Sequence, residues 1–91
     1  KGGAASAMAQ KDNIHAAVKV DDRKEVKRIL EQKKDAVNKR DVTEQTPLHV
    51  AAMEGHIDTM CLLLKKNANV NSQDKNCWTP LHCAAFSNHL Q

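Results

Sequence analysis

Cys77, His82, Cys83 and His89 are the residues whose types and spacing come nearest to a chemical site in this chain. Thiolate and imidazole are the ligands that zinc prefers, and four of them would close a tetrahedral site. The spacing argues against it: no Cys-x-x-Cys pair occurs, and His82 and Cys83 occupy positions that recur along the chain for other reasons. No metal and no other cofactor is expected. Nucleophilic chemistry fares no better. Ser6, Ser72 and Ser87 lack the glycine-flanked context of a nucleophile elbow, and Gly2-Gly3 belongs to the amino-terminal tail rather than to a phosphate loop. The carboxylates lie mainly among lysines and arginines on expected helix surfaces. The chain reads as a non-enzyme; an active site would have to lie on another part of a larger protein.

What positions these groups is a repeat. Thr46-Pro47-Leu48-His49 recurs 33 residues later as Thr79-Pro80-Leu81-His82. A fixed period of this length signals a stacked array. Thr46 and Thr79 can cap a helix, and proline suits the first turn, where no backbone N–H is needed. Leu48 starts an apolar face, and the small Ala51 and Ala52 let a neighbouring helix approach. Gly55 stands where that helix must stop. Ile57, Met60, Cys61 and Leu64 then follow i, i+3, i+4, i+7 spacing, the mark of a second amphipathic helix, and Leu63 and Leu64 are expected to carry much of the stack. A weaker copy precedes. It has Ile14-His15-Ala16-Ala17, a possible capping box in Asp22 and Glu25, and a stripe of Val26, Ile29 and Leu30. Ala36-Val37-Asn38 and Asp41 match Asn69-Val70-Asn71 and Asp74. His15 and His49 are 34 residues apart, so this copy holds one extra residue. The pattern predicts an all-α fold with helices at about 12–20, 22–33, 47–54, 57–66 and 80–87.

In their order, these motifs closely resemble the ankyrin repeat. The resemblance spans roughly residues 11–91 and implies a solenoid of stacked helix-turn-helix units joined by hairpin-like loops. The units fall at about 12–45 (a capping repeat), 46–78 (a full repeat) and 79–91 (a partial repeat), with residues 1–10 read as a flexible tail of the kind a cloning remnant leaves. The family's histidine hydrogen-bonds within and between repeats, which is the role expected of His49. The glycine expected at each loop tip is replaced by Glu44 and Cys77, so those tips should be strained or differently shaped. In the family, loop tips and first helices line a concave face that reads a partner protein or peptide. Carried over by position, the partner-facing residues are Val42, Thr43, Gln45, Val50, Met53 and Glu54 in one repeat. In the next they are Lys75, Asn76, Trp78, Cys83, Phe86 and Ser87. Trp78 and Phe86 are the only aromatic residues in the chain, and aromatic anchors dominate many interfaces.

Composition sets the remaining bounds. Ninety-one residues make one small domain. The chain ends where the second helix of the third repeat should begin, so it reads as a fragment of a longer array, completed by further repeats or by self-association at that end. Three cysteines without a framework spacing point to reduced thiols and a cytoplasmic or nuclear setting. No membrane-spanning stretch occurs. The net charge of +3 belongs to residues 1–45, with 11 basic and 8 acidic side chains, while residues 46–91 carry 3 of each. A solvated capping helix accounts for that excess. Contact with an anion or nucleic acid is the weaker alternative, since acidic residues are interleaved and no aromatic platform is present there. The favoured function is protein binding; the alternative is a recruiting or regulatory segment of a larger enzyme, channel or ligase adaptor.

Overall fold

Six short elements follow one another in the computed structural model, which describes residues 13–88. They are α1 (Ile14–Lys19), α2 (Arg23–Gln32), a 3₁₀ turn (Lys34–Asn38), α3 (Pro47–Glu54), α4 (Ile57–Lys65) and α5 (Pro80–Asn88). No strand occurs among the described residues. Residues 1–10 and His89 lie outside them. Helices α1, α3 and α5 pack side by side as one layer, with α2 and α4 behind. The stack is elongated, 42 × 25 × 24 Å.

The helix ends explain the boundaries. Asn13 Oδ1 accepts the Ala16 N–H at 3.1 Å. Thr46 Oγ1 accepts the His49 N–H, and Thr79 Oγ1 accepts that of His82. Both threonines therefore cap as expected. Asp22 also caps α2, accepting the Glu25 N–H at 3.2 Å. The return half of that box is absent, because the Glu25 carboxylate pairs with Arg28 instead. Gly55 ends α3 at φ 73°, and Asp21 makes the corresponding turn between α1 and α2 at φ 61°. Helix α2 has ten residues and α4 nine, which places the extra residue of the first repeat at the end of α2.

Ile14, Val18, Val26, Ile29, Leu30, Leu48, Ala51 and Leu63 form the centre of the core. The stripe of α4 departs from the periodicity. Thr59 and Leu63 are its buried residues, while Ile57 is 64% exposed and Leu64 is 43% exposed. Two physical reasons account for this. Thr59 is held inward by its hydroxyl, which donates to Asp21 Oδ1. Leu64 matches Leu30 in register, but Leu30 is covered by the following repeat; among the described residues nothing lies over Leu64 in the same way. It borders instead a 330 Å³ apolar groove with Met60, Val70 and Leu81. Leu63 fills the role expected of both leucines.

Candidate functional site

Each loop is organised by an aspartate. Asp41 Oδ1 accepts the backbone N–H groups of Thr43 and Gln45 at 2.9 and 3.0 Å and the Thr43 hydroxyl at 2.8 Å. Asp74 Oδ1 repeats this with the N–H groups of Asn76 and Trp78 at 2.8 and 2.9 Å. Burial pushes both carboxyls up in pKa. The hydrogen bonds outweigh it, with smaller help from His15 at Asp41 and His49 at Asp74, and both end below the ordinary carboxylate value. Glu44 and Cys77 take φ of 63° and 67°. The tips thus keep a left-handed residue without glycine, at a conformational cost that the aspartate bonds offset. The loops are also joined to each other: the Lys75 N–H donates to the Thr43 carbonyl at 3.0 Å, and Arg40 reaches the carbonyls of Glu44 and Gln73.

The histidines couple helices to loops. His49 is fully buried. Its Nδ1 accepts the Thr46 N–H at 3.1 Å, so Nε2 carries the proton and donates to the Trp78 carbonyl at 2.7 Å. His15 Nε2 donates in the same way to the Gln45 carbonyl at 2.8 Å. His56 adds a third link, from Nε2 to the Lys19 carbonyl. His15 and His49 thus fix the backbone just before the next first helix, and His56 ties the second repeat back to the first.

Trp78 gains most from this arrangement. Both its N–H and its carbonyl are held, by Asp74 and His49 respectively. Its half-buried ring meets Phe86 edge-on, with centroids 5.4 Å apart and planes at 62°. Phe86 is 52% exposed. The pair joins the loop before α5 to the helix itself and forms a pre-set apolar knob.

The expected partner-facing residues divide into groups. Gln45, Val50, Met53 and Glu54 line one groove of 410 Å³. Val42, Thr43, Lys75 and Asn76 are exposed on the loops, with Val42 at 92%. The polar groups of Thr43 are nevertheless engaged within the loops, and Gln45 spends its backbone there and its side-chain amide on Asp74. Ser87 is half-buried. Cys83, expected on the partner side, is fully buried, because α5 packs on α3 along that line; burial, with Asp74 near, pushes its thiol pKa up. The structure also adds residues that the positional reading left out. Asn13, Ala16 and Lys19 form the other wall of the groove. Their signal was available, since Ala16 and Lys19 precede Val50 and Met53 by the same 34 residues that separate His15 from His49.

No group of three or more His, Cys, Asp or Glu side chains among the described residues is placed to hold a metal ion. None of the described helices is long and apolar enough to cross a membrane.

Paired helices, aspartate-set loops and histidine links from repeat to repeat define an ankyrin stack. Residues 14–91 match the family described as ankyrin repeats (3 copies), and the chain belongs to that family. Ankyrin repeats are in general protein-interaction modules, and the family is typically non-catalytic. Among curated relatives, ankyrin repeat domain-containing protein 7 of Homo sapiens is 38% identical over 61 residues. That match covers 65% of this chain and 24% of the relative, so the chain spans about a quarter of that protein's length.

Proposed function

We propose that the chain binds a partner protein or peptide on its concave face, with Trp78 and Phe86 as the anchor and Met53 as an adaptable neighbour. The observation that carries this is the aromatic pair. It is the chain's whole aromatic content, it sits at variable positions of the repeat, and its tryptophan backbone is fixed at both ends. Rigid aromatic area reduces the ordering cost of binding. The groove beside Val50 and Met53 supplies a second contact, flanked by Lys19 and Glu54. The same face would serve for recruitment if the chain is a segment of a larger enzyme, channel or ligase adaptor. Three free thiols fit a reducing cytoplasmic or nuclear setting.

The test is a binding titration with a partner captured by the full chain. Trp78→Ala should weaken binding by about 2 kcal/mol or more, the size of a hot-spot loss, while leaving the helical circular dichroism unchanged. Phe86→Ala and Met53→Ala should weaken it less. Full affinity in Trp78→Ala would remove the concave face from consideration.

A further inference from the structure

The half-by-half charge count assigns the basic excess to the first repeat, but the fold redistributes it. A 620 Å³ cleft lies between the end of α2 and the end of α4, and Lys65 and Lys66 of the second repeat enter it beside Lys34 of the first. An adjoining cleft of 510 Å³ shares Lys34 and adds Lys33 and Lys39. Against these five lysines stand two carboxylates, Glu31 and Asp35. The clefts therefore hold an excess of three positive charges, as much as the whole chain. On the outer helices the two arginines are answered locally: Arg23 pairs with Asp58 at 2.8 Å, and Arg28 pairs with Glu25. Among the described residues Lys34, Lys65 and Lys66 enter no ion pair. The carbonyl ends of α2 and α4 offset part of this charge, about half a unit per helix, which leaves the clefts positive.

We propose that this cleft is a second interaction surface, separate from the concave face, and that it takes an acidic segment of a partner protein. The two carboxylates decide the chemistry of the occupant. A nucleic-acid backbone or an anionic membrane presents closely spaced negative charge, and it would meet Glu31 and Asp35 as repulsion. No aromatic side chain lines the cleft to stack a base. A peptide can space its aspartates and glutamates to meet Lys34, Lys65 and Lys66, and can set a basic residue against Glu31 or Asp35. The floor is firm, because Asn38 Oδ1 accepts the Asn69 N–H at 2.8 Å and so ties the two repeats together beneath it.

Fluorescence anisotropy of the full chain would test this with three labelled probes: a short Asp/Glu-rich peptide, a single-stranded DNA of equal length, and phosphatidylserine vesicles. The peptide should bind tightest, and its affinity should fall as salt rises. Lys65→Glu with Lys66→Glu should weaken it about tenfold or more, as expected for removing and reversing several exposed charge contacts. Lys34→Gln with Lys66→Gln should weaken it less and controls for any unfolding by charge reversal. Trp78→Ala should leave it unchanged, which separates this surface from the concave face. Tighter binding of DNA or vesicles than of the peptide overturns the proposal. So does peptide binding that ignores both lysine pairs, or no peptide binding at low salt.

Discussion

Asp74→Ala should unfold the presentation of Trp78 before it harms the helices. Asp74 Oδ1 accepts two backbone N–H groups, those of Asn76 and Trp78, and Oδ2 lies 3.4 Å from the Gln45 amide. Hydrogen bonds to an ionised acceptor contribute about 1.5–3 kcal/mol each. Asn76 is exposed, so water replaces much of its bond; Trp78 is half-buried, and its N–H is left with less. The loss should total about 2–3 kcal/mol, with the left-handed Cys77 no longer supported. For a domain of this size that lowers the melting midpoint by roughly 10 °C or more. Asp74→Asn keeps an acceptor oxygen in place and should cost about 1 kcal/mol, the worth of a neutral bond. Trp78 is the sole tryptophan, so its fluorescence reports the loop while far-ultraviolet circular dichroism reports the helices. The fluorescence transition should precede the helical one in Asp74→Ala. Midpoints equal to the parent chain in both signals, or an Asp74→Asn variant as weak as Asp74→Ala, would refute this account of the loop.

Other outcomes follow from the same contacts. Asp41 and Asp74 both have carboxyl pKa values held below the ordinary range. Their stabilising effect is therefore fully present above the unfolded value of about 4 and is lost as pH falls through the lower folded values; acid titration monitored by tryptophan fluorescence should show the loss below pH ~4, and Asp74→Asn should flatten it. Leu63→Ala should cost about 2–5 kcal/mol because its site is closed on all sides, whereas Leu64→Ala, partly exposed, should cost clearly less; urea unfolding of the two variants checks the order. Cys61 and Cys77 should react rapidly with a thiol reagent and Cys83 only on unfolding, which timed thiol counting would show.

Much of this protein was legible in one dimension. Thr46-Pro47-Leu48-His49 and its copy carry the cap, the first turn and the linking histidine in consecutive residues, so period and fold follow from local chemistry repeated at a fixed interval. The helix ends at Gly55 and Asp22 are local for the same reason. The face of α4 was not legible, because burial there depends on what lies across from it. Thr59 is turned inward by Asp21, a residue 38 positions away, and Leu64 differs from Leu30 only in its cover. The candidate site divides along the same line. Register carried Trp78 and Phe86 to positions expected to face a partner, but their edge-on contact, the burial of Cys83 and the facing wall of Asn13, Ala16 and Lys19 depend on how repeats stack. The lysine cleft is wholly a tertiary feature. Lys34 and Lys65 are far apart along the chain, and only the offset between successive repeats brings their charges to one surface.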